Sequence, residues 1–320
     1  MQRYFITGGA GFVGCHLVEK LALLGKAVVV YDDLSFGRVE NIQQYLDEVK
    51  LVKADLNDYG TLERVIGEFM PEIVIHLAAV HFIPYCNEHP RETVHVNIKG
   101  THTLLDVCSK YRPKKILFAS SAAVYPPSDN PHRETDEVRP FDIYGGTKIC
   151  GETLMQLFAQ QTSVPTVSCR LFNVYGTKET NDHVIPHIIN QLKSGRTKIE
   201  LGNISPKRDY VYVKDVADAL FQISSDGTGK YNCLNIGTGK EYSVEDLISK
   251  IASILGKDLI IDSVDSLKRK IERPHLCSDI SKIKKEMDWS PKYDINEGLF
   301  ALIDFELKNG HNLYHRSSEI

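Results

Sequence analysis

The chain has 320 residues, 42% of them hydrophobic and 25% charged, with a formal net charge of −4. That length buries a core large enough for one full domain and a smaller appended one. The mildly acidic balance gives no electrostatic pull towards nucleic acid or anionic lipid, and no apolar run is long enough to cross a membrane, so neither is expected as a partner.

The first half alternates short apolar runs with longer amphipathic stretches. Residues 4–7, 27–31, 73–77 and 115–119 are apolar and often β-branched, and read as strands buried on both faces. Helical patterns lie between them at 11–24, 60–69 and 93–110. A further helix near 144–161 leads into a strand at 166–171. Strand, helix, strand at this spacing predicts βαβ units and a doubly wound parallel sheet. After Asn173 the rhythm turns irregular: a helix at 184–193, an extended piece within 195–202, a strand at 209–213 entering a helix at 215–223, and a turn at 237–239. Helices near 244–255 and 278–287 follow, before a polar tail. The reading is α/β: a larger domain over 1–173 with a return at 209–236, and a smaller α/β domain from 174–208 and 237–320.

The seven cysteines (Cys15, Cys86, Cys108, Cys150, Cys169, Cys233 and Cys277) are scattered, with no Cys-x-x-Cys pair. An odd count without a framework argues for a reducing compartment and against a disulfide scaffold or a zinc site, so no metal is expected. The chain opens on a strand-like segment with no secretory pattern ahead of it, which makes it cytoplasmic on this reading. Basic clusters at Lys268, Arg269 and Lys270 and at Lys282, Lys284 and Lys285 read as solvated faces.

The first strand runs into Thr7-Gly8-Gly9-Ala10-Gly11-Phe12-Val13-Gly14 and then a helix. Gly8 permits a tight turn, Gly11 lets backbone approach a pyrophosphate, and Gly14 lets the helix pack closely on the strand. The amides opening the helix then face phosphate charge. A glycine triplet alone is a weak signal, but here Asp32 closes the next strand, where a carboxylate bonds adenosine ribose hydroxyls. That carboxylate would repel the extra phosphate of NADP, so NAD is favoured; Arg38 nearby keeps NADP open.

Tyr144-Gly145-Gly146-Thr147-Lys148 starts a helix and puts Tyr144 and Lys148 on one face. A nearby ammonium stabilises a phenolate, which then takes a proton from a hydroxyl while hydride leaves the same carbon. Ser121, in Ser120-Ser121-Ala122-Ala123-Val124-Tyr125, closes a predicted strand at the end where open parallel sheets bind ligands. A surface pair and a turn-making serine are the plain alternatives for each motif taken singly.

These segments, with His76-Leu77-Ala78-Ala79, Arg170-Leu171-Phe172-Asn173-Val174-Tyr175-Gly176 and Arg208-Asp209-Tyr210, resemble the extended short-chain dehydrogenase/reductase family. More narrowly, the chain is similar to its nucleotide-sugar epimerases and dehydratases, in the family's motif order and over nearly its whole length. The resemblance implies a Rossmann domain holding NAD and a smaller domain holding a nucleotide-diphosphate sugar. It implies that Asp55 and Leu56 line the adenine site and that Leu77, Ala78, Ala79, His81 and Asn97 lie along the cofactor, Asn97 near the nicotinamide ribose. Ser121, Tyr144 and Lys148 would be catalytic, the last two also touching cofactor. Ser121, Ala122, Ala123, Asn173, Leu201, Arg208 and Arg273 would meet the substrate, the two arginines on its diphosphate, which the guanidinium fork suits.

Departures narrow the reaction. Related dehydratases carry acidic residues where this chain has Ala122 and Ala123, and the GDP-fucose synthase type carries a Cys at Ala123 and a His near Lys178. What remains is a hydroxyl-oxidising core without extra acid/base groups, which points to 4-epimerisation of an NDP-hexose of the UDP-glucose/galactose type through a 4-keto sugar. A nucleotide-sugar reductase, dehydrogenase or dehydratase is the nearest alternative, and a non-catalytic NAD-binding scaffold a remote one. His81 stands where galactose epimerases share a Lys, and Pro126 where Gly is usual. The pairs His183/His187 and His311/His315 have metal-compatible spacing but no evident third ligand, and Gly-x-Ser-x-Gly is absent. The helices at 93–110 and 144–161 resemble a four-helix dimer interface, so a homodimer is expected.

Overall fold

The structure, a computed structural model, describes residues 1–179, 181–226, 229–268 and 273–309. Along the chain, β1 (Arg3–Thr7) leads through α1 (Phe12–Leu23) to β2 (Ala27–Asp32) and β3 (Val49–Lys53). Then come α2 (Tyr59–Phe69) and β4 (Ile73–His76), followed by α3 (Ile83–Glu88), α4 (Pro90–Val94) and α5 (Thr101–Tyr111). β5 (Lys115–Ser121), α6 (Ile143–Thr162) and β6 (Thr166–Leu171) complete this run.

The second half holds β7 (Asn173–Tyr175), α7 (Val184–Lys193), β8 (Lys198–Leu201) and β9 (Lys207–Tyr212). After it come α8 (Val213–Ser225), β10 (Tyr231–Ile236), β11 (Glu241–Ser243), α9 (Val244–Leu255) and β12 (Ile260–Ser263). The described chain ends with α10 (Ser281–Met287) and α11 (Ile295–Asn309).

Seven strands form one parallel sheet in the order β10-β6-β5-β4-β1-β2-β3. Alternation across it explains the continuous apolar runs. Tyr4, Ile6, Val28, Val30, Ile73, Ile75 and Leu117 face one core, with Leu17, Leu21, Leu220 and Trp289. Phe5, Val29, Tyr31, Val74, Ile116 and Phe118 face the other, with Leu62, Leu104 and Phe158. Two buried faces at a period of two make the central runs apolar, and buried polar residues such as His76, Ser120 and Arg170 lie at or near the carboxyl ends of these strands. A three-stranded sheet, β11-β9-β7, and the β12-β8 pair build the smaller lobe around Ile188, Leu247, Ile251 and Leu299.

Within 209–236, β9 pairs in the small sheet, whereas α8 packs on α1 and β10 closes the large sheet. The helix expected at 93–110 is instead α4, a wider π turn at His95–Gly100, and α5. Among the elements without a signal in the sequence are β3, a half-exposed edge strand with lysines at 50 and 53, α3, the short strands β7, β11 and β12, and α11.

Two buried carboxylates tie the lobes into position. Asp209 accepts from Thr238 N (2.8 Å), Gly239 N (3.0 Å) and Ser278 N (3.1 Å), which fixes the turn beside Arg208. Asp215 accepts from Lys292 N and Tyr293 N, 3.0 Å each.

Candidate active site

A cavity of about 1200 Å³ opens along the carboxyl ends of the parallel strands and runs into the smaller lobe. Gly8, Gly11, Phe12, Val13 and Gly14 line one end. Gly8 has φ +70°, and a side-chain carbon there would lie 2.6 Å from Ala78 N, so the turn is pressed against the end of β4. At Gly14 such a carbon would overlap the Gly8 carbonyl oxygen. Close packing here leaves the start of α1 with Gly11 as N-cap and no side-chain cap, so its first amides face the cavity. That is the donor set a pyrophosphate needs.

Asp32, 7% exposed, also lines the cavity. Its Oδ2 accepts from Ala10 N and its Oδ1 from Leu34 N, 2.9 Å each, leaving each oxygen a further lone pair. A side chain at Gly37 would stand 2.9 Å from Oδ1, so the glycine keeps room above the carboxylate for a bound hydroxyl. Asp55, Leu56, Leu77, Ala78, Ala79 and His81 continue the same wall, while Arg38 lies outside the lining. These features fit an adenine dinucleotide without a ribose phosphate.

Asn97 does not join that wall. It is 3% exposed, its Oδ1 accepts from Val80 N (2.8 Å), and its Nδ2 donates to Val80 O (2.9 Å) and Thr147 Oγ1 (3.0 Å). With both amide hydrogens taken, Asn97 clamps the loop after β4 onto α6 and stands behind the cavity wall.

Ser121 closes β5, and Tyr144 and Lys148 stand on the first turns of α6, which Asp142 caps by accepting from Gly145 N at 2.7 Å. All three line the cavity. Ser121 Oγ accepts from Ala123 N at 3.1 Å and is hydrogen-bonded to the Tyr144 phenol, which favours the phenolate. Lys148 Nζ donates to Ala119 O at 2.7 Å and lies 5.5 Å from the centre of the Tyr144 ring. Burial lowers the Lys148 ammonium to about 8. Burial also pushes the Tyr144 phenol well up, outweighing the hydrogen bond from Ser121 that draws it down.

On the smaller lobe, Asn173, Leu201, Arg208 and Arg273 line the cavity with Ala122 and Ala123. Arg208 Nη1 donates to Lys207 O (2.7 Å) and Arg273 O (2.8 Å), which ties the two arginines together. Arg273 Nη2 donates to Ala123 O (2.9 Å) and its guanidinium lies 4.8 Å from the Phe141 ring centre. The flanking Glu272 lies outside the described residues, as do Arg269, Lys270, His311 and His315.

Two residues missed from sequence enter the wall. His183, the N-cap of α7, has its Nδ1 3.6 Å from Glu179 Oε1 and its ring 6.4 Å from that of His81. Glu179 is 3% exposed. Past Gly176 the chain brings Glu179, Asp182 and His183 to the cavity, two carboxylates and an imidazole that no motif of the sequence marks for it. His81 itself is driven down to about 4 by burial, and its Nε2 lies 2.8 Å from Asn181 Nδ2. Among the described residues no group of three His, Cys, Asp or Glu side chains is placed to hold a metal, and no helix is long and apolar enough to cross a membrane.

The sequence profile of the NAD dependent epimerase/dehydratase family matches residues 4–237. The UDP-glucose 4-epimerase of Mycolicibacterium smegmatis is 31% identical over 312 residues, covering 95% of this chain and 98% of that protein. The UDP-glucose 4-epimerase of Thermotoga maritima, solved with UDP-glucose, superposes with a TM-score of 0.88 at 30% identity, covering 96% and 99%. That of Thermus thermophilus, solved with NAD, gives 0.86 at 29% identity, covering 95% and 98%.

Proposed function

This chain belongs to the NAD-dependent epimerase/dehydratase family, and we propose that it interconverts the C4 epimers of a UDP-hexose such as UDP-glucose and UDP-galactose. It is an NAD-dependent isomerase on this reading. The observation that carries it is one cavity joining the uncapped start of α1 and Asp32 to Ser121, Tyr144 and Lys148, and these to Arg208 and Arg273.

Residue roles follow from the chemistry at each place. The amides of Phe12 and Val13 and the glycines Gly8, Gly11 and Gly14 hold the cofactor's pyrophosphate, Asp32 its adenosine ribose, and Asp55 with Leu56 its adenine. Leu77, Ala78, Ala79 and His81 form the wall along it. NAD, when bound, would supply reversible hydride acceptance at the sugar carbon. Tyr144 removes the proton from the C4 hydroxyl, with the Lys148 ammonium and the Ser121 hydroxyl stabilising its phenolate. Ala122 and Ala123, small and apolar, give the 4-keto sugar space to turn, while Arg208 and Arg273 with Asn173 and Leu201 keep the nucleotide diphosphate anchored. Because oxidation and re-reduction at one carbon cancel, the inversion would consume no net cofactor.

The division into a cofactor domain (1–173 with the return at 209–236) and a sugar-nucleotide domain (174–208 and 237–320) belongs to the same reading. So does a cytoplasmic homodimer. Its cysteines are free thiols, and Val94 and Leu157 are 40% and 46% exposed beside a shallow groove lined by Pro90, Ile98, His102 and Leu154. Tyr144→Phe lowers interconversion of UDP-glucose and UDP-galactose, followed by the NMR signals of the anomeric protons, by about 10³-fold. Near-normal turnover in that variant refutes the reading, and stoichiometric build-up of reduced nicotinamide in the parent would favour a dehydrogenase instead.

A further inference from the structure

Behind Ser121, Tyr144 and Lys148 lies a second set of charges that does not face the cavity. Glu152 follows Lys148 by one turn on the same face of α6. Ser120 Oγ donates to its Oε1 at 2.5 Å, Arg170 Nε to the same oxygen at 2.9 Å, and Arg170 Nη2 to its Oε2 at 2.8 Å. Arg170, on the neighbouring β6, also donates to Tyr125 Oη (2.8 Å) and Glu134 O (3.2 Å). Glu152 and Arg170 are 7% and 5% exposed, and neither lines the cavity.

This network grips both ends of the segment that carries Ser121. Ser120 precedes Ser121 on β5, where successive side chains point to opposite faces, so fixing Ser120 from behind fixes the direction of Ser121 in front. Tyr125 ends the short turn that follows. The surroundings of Lys148 give the pair an electrostatic role as well. Facing the ammonium are the Phe118 ring from β5 (4.9 Å), the Tyr144 ring on α6, Cys86 from α3, His76 from β4 and His81 from the loop after it. Burial pushes the Cys86 thiol up and both histidines down, so these three are uncharged near neutral pH. Glu152, ion-paired with Arg170 at 2.8 Å, is then the carboxylate on that side.

We propose that Glu152 is a positioning residue for the reaction: locked by Arg170, it aims Ser121 through Ser120 and supplies the buried counter-charge for the Lys148 ammonium. A buried ion pair need not stabilise a fold more than apolar side chains of the same size would. Here it sits where charge and direction both bear on the reacting groups.

The inference rests on the epimerase reading, and its test is the pH profile of kcat for the NAD-loaded enzyme. Activity requires the ammonium, so it falls on an alkaline limb as Lys148 loses its proton. Glu152→Gln removes the negative charge and moves that limb to lower pH, by about half a unit or more. Arg170→Gln removes the opposing positive charge and moves it to higher pH. In both, kcat falls about tenfold with KM within about twofold of the parent, since the diphosphate anchors Arg208 and Arg273 are untouched. Loss of packing alone loosens both variants in the same sense and cannot drive the limb in opposite directions. Limbs that coincide with the parent's, or that move together, overturn the proposal.

Breaking one side of a buried pair can unfold a chain, so Arg170→Lys supplies a milder case. It keeps the charge but loses the two-pronged grip on Glu152, and is expected to leave the limb in place while kcat drops about threefold or more. Parental kcat in that variant would also overturn the proposal. An inactive parent enzyme would instead count against the epimerase reading itself.

Discussion

Gly14→Ala tests whether the α1 start owes its place to backbone-on-backbone packing. The added carbon would overlap the Gly8 carbonyl and stand 2.7 Å from Gly9 Cα and 2.9 Å from Gly9 C. Carbon atoms normally approach to about 3.5–4.0 Å, so the turn and the helix must separate by roughly 1 Å. Overpacking of this kind costs about 1–3 kcal/mol, and the upper end applies because no flexible side chain can move aside. For a chain of this size that lowers Tm by roughly 6 °C. The same displacement carries the uncapped amides of Phe12 and Val13 off the pyrophosphate position, weakening NAD binding about tenfold. Thermal denaturation and NAD titration of protein freed of cofactor read the two effects. Gly146→Ala is the control, since nothing lies within 4 Å of its added carbon; in the first turn of α6 it is expected to be neutral or slightly stabilising. A Gly14→Ala protein that melts within about 1 °C of the parent and binds NAD equally well would refute the packing argument.

Asp32→Ser removes the carboxylate that excludes a ribose phosphate, so the affinity ratio of NAD to NADP narrows about tenfold or more; an unchanged ratio in fluorescence titration would refute that role. Turnover is lost on the alkaline side as pH rises through about 8, because the Lys148 ammonium is present below that value and gone above it; a profile flat to pH 10 would count against it. His16 and His81 are held down to about 4 and His76 to about 3 by burial, and stay neutral in the fold while the unfolded chain takes up protons below about pH 6.5. Stability from these groups is therefore complete above that pH and is lost on the way down, so Tm falls steadily from pH 6.5 to 4.5, and His16→Gln, which keeps a bond to Thr177 O, makes the fall shallower. Sedimentation at micromolar concentration gives twice the chain mass if the Val94–Leu157 face pairs; a monomer there contradicts the dimer.

Much of this protein is legible in its sequence, because its signals are local. Buried parallel strands such as Val28–Tyr31 admit only apolar residues on both faces, and the turn between β1 and α1 admits only glycine at positions 8 and 14, where backbone meets backbone. Tyr144 and Lys148 are neighbours by helix geometry alone. Tertiary structure decided what local pattern could not. Asn97 stands in the right stretch but clamps Val80 and Thr147, a partnership 17 and 50 residues away that no spacing encodes. His183 and Glu179 reach the cavity only because the chain turns at Gly176 and folds back over the large sheet. The balance at Tyr144 is likewise tertiary: helix spacing sets its distance from Lys148, but burial and the hydrogen bond from Ser121, on a different element, set the phenol.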